Sequence, residues 1–313
     1  MLSRTADHLY WMSRYTERAE NTARLLEVTY RTSLLVPNQP LGYWGAALGI
    51  TGLEESYRAK FGDIIASQVL RYMSIDLDNP SSILSCLRSA RENCHAVRGT
   101  VTSEVWETLN TTWLEARDST GGLSQDSVQG SELTQYFEWV KFRSHLSRGV
   151  TVGTMLQDEA FNFIRLGTFL ERADNTARLL DVKFDELAPQ DGRSSEYYEW
   201  GALLRSVSAF EIYRKVYSDV ITPSRVAELL ILRDDMPRSL HACIKEVRHI
   251  LDLIANERSR ETTRRAGQLY ARLQYGRMED ILRQGLHDYL TGFLNDTHEM
   301  GNLIAQDFLV PLA

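Results

Sequence analysis

The sequence predicts an all-α protein, a bundle of long helices built from two halves related by an approximate twofold axis. Three observations carry that expectation. Apolar residues recur at three-to-four-residue spacing, the period of one helix face. In the first segment these are Leu9, Met12, Ala19, Ala23, Leu26 and Tyr30. Short β-branched runs of alternating character, the mark of strands, are scarce. Finally, one block occurs twice: residues 17–28 read ERAENTARLLEV and residues 171–182 read ERADNTARLLDV. Ten of the twelve positions are identical, and the other two exchange Glu for Asp.

The helices follow in order. The first is expected over 4–35, with Ser3 as its N-cap and Pro37 as its stop. Others are expected at 43–60, 81–99, 101–118, 131–150 and 155–186, then at 196–218, 237–256, 258–275 and 277–308. The seven prolines fall at or near breaks between them. Residues 119–130, rich in Gly and Ser, read as a connecting loop. In the last segment Tyr289, Phe293, Ile304 and Phe308 share the helical pattern. That face either closes the second half or packs on a partner.

The repeat extends past the block. Trp44-Gly45-Ala46 matches Trp200-Gly201-Ala202, and Glu55, Tyr57 and Arg58 match Glu211, Tyr213 and Arg214. Further on, Asp78, Pro80, Ser82 and Cys86 match Asp235, Pro237, Ser239 and Cys243. A period of about 155 residues is too long for a solenoid, whose repeats run ~20–50 residues. The expected organisation is a first half at 1–150 and a second at 151–313, packed as one globule, because helices with matched apolar faces need each other to bury them.

Composition narrows the partners. With 43% hydrophobic and 25% charged residues the chain can bury a sizeable core and stay in water. A formal net charge of −7 argues against nucleic acid and against anionic membranes. No apolar run approaches the ~18–20 residues of a membrane span. Arg4, Asp7, His8 and Arg14 stand where an export signal needs apolar residues, so a cytoplasmic location is expected. Three cysteines without close pairing suit a reducing compartment, and Cys86 and Cys243 read as small core residues.

Within the block, Glu17, Asn21 and Arg24 lie at i, i+4 and i+7 and share one helix face. Arg14 joins that stripe one turn earlier. Glu171, Asn175 and Arg178 repeat the arrangement. Glu17 and Arg18 are adjacent and cannot pair on one face. Arg18 points toward Trp11 and Leu25, so it needs a carboxylate from another helix, because an unpaired buried charge is costly. Glu55, Glu211 or the block of the other half can supply it. Two readings stand. In one, Glu17, Arg18, Glu171 and Arg172 knit two crossing helices, with Asn21 and Asn175 satisfying leftover groups. In the other, Arg24, Arg178 and their neighbours grip a carboxylate or phosphate, as an enzyme or a small-molecule binder would.

The opening MLSRTADHLYWMSRYTERAENTARLL, the segment DNPSSILSCLRSARENCHAVR and the second-half FIRLGTFLERADNTARLLDV together resemble the alpha-E family, bacterial all-helical proteins marked by a Glu-Arg motif. The resemblance covers essentially the whole chain. One departure is His95, where the family often has Arg. The resemblance implies a cytoplasmic protein encoded beside, or fused to, a circularly permuted ATP-grasp protein, with a transglutaminase-like protein often nearby. It implies a role in forming or processing a peptide or amide product. The chain has no phosphate-cradling Gly-x-x-x-x-Gly-Lys-Ser/Thr loop and no Gly-x-Gly-x-x-Gly after a strand. No cofactor is therefore expected on this chain, and the expected role is accessory.

Other patterns are weaker. Glu92 and His95, and Glu246 and His249, each set two metal-ligand types one turn apart, as in carboxylate-bridged dimetal bundles. The repeat register aligns Glu92 with His249, which breaks the symmetry such a site needs, so these read as ordinary helix residues. Arg258, Arg260, Arg264, Arg265, Arg272 and Arg277, interleaved with Tyr270 and Tyr275, form a basic stretch. Glu257, Glu261 and Glu279 dilute it, and it reads as a solvated face.

Overall fold

The computed structural model describes residues 1–35, 40–123, 130–186 and 195–310, and all regular structure among them is helical. The first helix α1 spans Ser3–Leu35. Then come α2 (Pro40–Thr51), α3 (Glu54–Phe61), α4 (Ala66–Ser74), α5 (Ile83–Ala96), α6 (Ser103–Leu123) and α7 (Gly130–Thr154). The next are α8 (Glu159–Glu186), α9 (Ser195–Ser206), α10 (Phe210–Tyr217) and α11 (Pro223–Ile231). The chain continues with α12 (Leu240–Leu253), α13 (Arg260–Gln274), α14 (Met278–Gln284) and α15 (Leu286–Ile304), then a π-turn at Ala305–Leu309.

Helix periodicity located the long elements and missed the breaks. The expected helix at 43–60 is two helices, parted where Gly52 takes φ +68°. The one at 196–218 divides at Ser208, φ 56°, which occupies the matching position in the repeat. Both turns close alike: the Leu53 amide donates to Leu48 O at 2.9 Å and the Ala209 amide to Leu204 O at 2.7 Å. The segment 277–308 breaks at Gly285, φ +101°. Such left-handed backbone costs a residue with a Cβ but not Gly. Two short helices, α4 and α11, were not expected. Ser3 lies inside the first turn of α1, whose Ala6 amide reaches back to Leu2 O at 3.1 Å. Of the loop placed at 119–130, residues up to Leu123 are helical and 124–129 fall outside the described residues. Pro37 also falls outside them.

Two helices organise the rest. Helix α1, 33 residues long, packs on α5, α7 and α8; α8, 28 residues long, also carries α12 and α15. Small residues let neighbours approach both helices: Ala19 and Ala23 of α1 and Ala173 and Ala177 of α8 have no exposed surface. Gly167 of α8 sits tightest, where an added Cβ would lie 2.3 Å from Tyr10 O of α1. The matched tryptophans Trp44 and Trp200 are each 1% exposed, and the matched Tyr57 and Tyr213 have no exposed surface. Tyr289, Phe293, Ile304 and Phe308 are buried within the chain's own core, so α15 spends that face internally.

The helices α5 and α12 start identically. Ser82 Oγ accepts from the Ser85 amide at 3.1 Å, and Ser239 Oγ accepts from the Ala242 amide at 2.9 Å. Each satisfies one of the unpaired amides of a first helical turn. Replacing either serine by Ala is expected to cost about 1 kcal/mol. A urea midpoint unchanged in both variants would rule out capping as their role.

Candidate functional site

Where α1 crosses α8, the two Glu-Arg pairs exchange partners. Arg172 grips Glu17 through both edges, Nε to Oε1 and Nη2 to Oε2, each at 2.9 Å. Arg18 grips Glu171 by the same atoms, Nε to Oε1 at 2.6 Å and Nη2 to Oε2 at 3.1 Å. Two-point guanidinium–carboxylate pairs of this kind fix orientation as well as charge. The carboxylate that Arg18 requires thus comes from the other block; Glu55 and Glu211 are exposed and take no part.

Around this shared cross the two sides differ. Glu171 takes one further cation, Arg14, whose Nε donates at 2.7 Å. Glu17 takes two more, Arg148 Nη1 and Arg238 Nη1, each at 2.9 Å. Glu20, one turn along α1, accepts from Arg24 Nε at 2.8 Å, Arg238 Nη2 at 2.5 Å, Arg148 Nη1 at 2.5 Å and Ser144 Oγ at 2.8 Å. Glu17 and Glu20 are 1% and 0% exposed, so both carboxylates are held away from bulk water, while Arg148 reaches its edge at 27% exposed. On the α8 side the counterpart of Glu20 is Asp174, which among the described residues pairs only with Arg178, itself 44% exposed. Asn175 is half-buried and makes no hydrogen bond to the network among the described residues. Asn21 accepts from Arg238 Nη1 at 2.9 Å, while its own Nδ2 finds no acceptor.

The asymmetry traces to two residues. Arg238 precedes the Ser239 cap, and the matching position before Ser82 is Ser81. Arg148 comes from α7 and has no partner in the repeated segments. Neither is visible in the block itself. Glu20 stands in the block and was passed over, although its i, i+4 spacing to Arg24 is an ion-pair spacing.

Burial pushes every one of these carboxyls up, and the arginines outweigh it. Arg172 and Arg238 hold Glu17 below its ordinary value. Arg238, Arg148 and Arg24 hold Glu20 well below it. Glu171 is held at about 2, against an ordinary 4.5, by Arg14 and Arg18. All three stay ionised at neutral pH. His145, at the solvent edge, is held below its ordinary value by burial, helped by Arg148 and Arg24 over the pull of Glu20. A neutral imidazole accepts through one nitrogen only. The tautomer thus decides which of its two arginine contacts, Nδ1 with Arg148 Nη2 at 2.7 Å or Nε2 with Arg24 Nη2 at 3.2 Å, is an accepted hydrogen bond.

A carboxyl that is depressed in the folded state stabilises it above the unfolded value and loses that contribution as pH falls through the folded value. For Glu171 the contribution is complete above 4.5 and drains as pH falls toward about 2. Glu171→Gln is therefore expected to flatten the loss of stability between neutral pH and about pH 3. Urea midpoints across that range check it; an unchanged slope would mean that Glu171 is not ionised in the fold.

The weaker patterns resolve simply. Glu246 is taken by Arg165, Glu92 pairs with Arg91 at 2.5 Å, and His95 lies on Trp106 with ring centroids 5.4 Å apart. His249 is exposed, and no group of three metal-ligating side chains forms among the described residues. In the basic stretch Arg264 and Arg265 pair with Glu261, Arg265 also with Glu299, and Arg272 with Asp296. All three cysteines are buried, and burial pushes their thiols up to about 12. No helix among the described residues is long and apolar enough to cross a membrane.

A family model described as a predicted alpha-helical domain with a conserved ER motif matches residues 1–309. The chain belongs to the alpha-E family. This alpha-E chain is 25% identical, over 94% of its length, to uncharacterized proteins of Mycobacterium bovis and of two strains of Mycobacterium tuberculosis. It spans only 35% of the length of each of these relatives. No solved structure matches. In this alpha-E chain the motif supplies both halves of a crossed ion pair, and that role needs two copies.

Proposed function

We propose that this alpha-E chain is an accessory helical protein of an ATP-grasp ligase system that forms or modifies a peptide or amide product in the cytoplasm. Its partner in this reading is a circularly permuted ATP-grasp protein, with a transglutaminase-like protein as a further associate. The observation that favours an accessory role over catalysis is that the carboxylates of the Glu–Arg block are buried and already spent on arginines. Acid–base catalysis works best with a group whose pKa lies near the operating pH and which reaches substrate. Glu17, Glu20 and Glu171 are instead buried, spent on arginines and held ionised. The thiols offer no activated nucleophile, since a reactive cysteine is a lowered and accessible one. The family resemblance supplies the partners. The mycobacterial relatives carry the matching region within much longer chains, which suits a module that works beside other domains.

The test is co-purification with the ATP-grasp protein, followed by an amide-ligation assay with and without this chain. The expected result is no ATP turnover by the chain alone and ligation by the partner that depends on it. ATP turnover by the isolated chain, abolished in Arg24→Ala, would overturn the accessory role. Equal ligation with and without the chain would overturn the partnership.

A further inference from the structure

We propose that a cleft between α1, α7 and α8 binds a small carboxylate carried on an apolar body. This goes beyond the partnership above and stands whether or not that holds. The cleft has a volume of about 120 Å³ and opens to solvent on one side. Its floor touches the ion-pair network through Glu17, Arg148 and Arg172. Arg165 joins them on the wall, so three guanidiniums face one carboxylate.

Arg165 is the group with donors to spare. Its Nη2 donates to Glu246, and its Nε and Nη1 have no acceptor among the described residues. Its guanidinium lies 5.7 Å from the ring centroid of Phe161 and 5.3 Å from that of Phe169. Arg172 lies 5.4 Å from the same Phe169 ring. Two like charges are thereby drawn to one ring, with their counterions, Glu246 and Glu17, on other helices. Met12, Val152 and Ile164 add an apolar wall, and hydroxyl residues complete the lining. Ser13, Thr16, Thr151 and Thr168 donate to carbonyls of their own helices, so the cationic donors of this cleft are its arginines.

An excess of guanidinium beside an apolar wall selects an anion whose remaining surface is apolar, because charge-assisted hydrogen bonds gain most where water is displaced. A single carboxylate matches the spare donors of Arg165. A second negative charge would meet Glu17.

The probe is hydrocinnamate, titrated into the full chain while the arginine Nε–H signals are followed by nuclear magnetic resonance; the neutral hydrocinnamamide is the control. The expected result is saturable movement of the Arg165 signal, with the amide weaker by about tenfold or more, the size of one charge-assisted hydrogen bond. Arg165→Gln is expected to weaken binding by about tenfold while leaving the melting temperature near wild type, since Arg165 lies outside the Glu17–Glu20–Glu171 network. Val152→Trp, at a position 59% exposed on the rim, fills the mouth and should block binding without unfolding the chain. Glu246→Gln frees Arg165 and should strengthen binding. Equal affinity for acid and amide, no saturable shift at millimolar probe, or wild-type binding by both Arg165→Gln and Val152→Trp would each overturn the proposal.

Discussion

Glu17→Ala is expected to destabilise the protein by about 3–5 kcal/mol, the cost of removing one side of a buried ion pair and stranding the other. The expectation follows from who is left behind. Arg172, Arg148 and Arg238 all donate to Glu17, and Arg172 and Arg238 are only 10% and 9% exposed. Arg172 and Arg238 cannot swing into water without leaving the crossing, whereas Arg148, 27% exposed, keeps a path to solvent. Arg172→Ala is expected to cost less than that, because the Glu17 left behind keeps Arg148 and Arg238. Arg18→Ala should cost less, since Arg18 is 27% exposed and Glu171 retains Arg14. Arg264→Ala, on the solvated face of α13, should melt with the wild type. Denaturant and thermal unfolding of the four variants order them. A wild-type melt for Glu17→Ala would show that the network contributes no stability, and its loss of a partner or ligand would move the block from structure to surface.

Gly167→Ala is expected to be the second most damaging change, although it adds one methyl group. The added Cβ would lie 2.2 Å from Ser13 Oγ, 2.3 Å from Tyr10 O and 3.2 Å from Arg14 Cγ. Ser13 can rotate away, but a backbone carbonyl cannot. The helices must part, and the adjoining Arg14–Glu171 and Arg18–Glu171 pairs stretch with them. Overpacking of this kind costs about 1–3 kcal/mol and occasionally more. Gly149 of α7 is the internal control, since no atom lies within 4 Å of its added Cβ. Gly149→Ala should instead gain about 0.5–1 kcal/mol, the ordinary preference of a helix interior for Ala. Opposite signs for the two substitutions are the expected result. Equal signs would mean that the close crossing does not exist.

Much of this arrangement was legible in the sequence, and the remainder was hidden for physical reasons. The all-helical class and the positions of α1, α8, α5 and α12 follow from periodicity and from the Pro-x-Ser starts. The need of Arg18 for a carboxylate from elsewhere follows from its apolar neighbours. The breaks at Gly52, Ser208 and Gly285 were not legible, because an apolar pattern runs across a one-residue turn without changing period. Arg148 and Arg238 were not legible either: a single arginine in an amphipathic helix carries no mark of whether its face meets water or a buried carboxylate. The equivalence of Arg24 and Arg178 was legible in sequence and absent in space. Arg24 reaches Ser208 at 2.7 Å beside its Glu20 pair, while Arg178 stops at Asp174.

The crossed pairing changes what counts as a unit of inheritance. Glu17 and Arg18 are neighbours along the chain, yet neither touches the other. Glu17 answers to Arg172 and Arg18 to Glu171. A change at position 17 is therefore compensated at 172, not at 18. Among related chains, substitutions should co-vary between the first letter of one motif and the second letter of the other. A charge-reversed chain with Arg at 17 and Glu at 172 would still have to satisfy Arg148 and Arg238, so that exchange is blocked on the Glu17 side. The Arg18–Glu171 side has one such onlooker, Arg14, and is the side on which the motif is freer to drift.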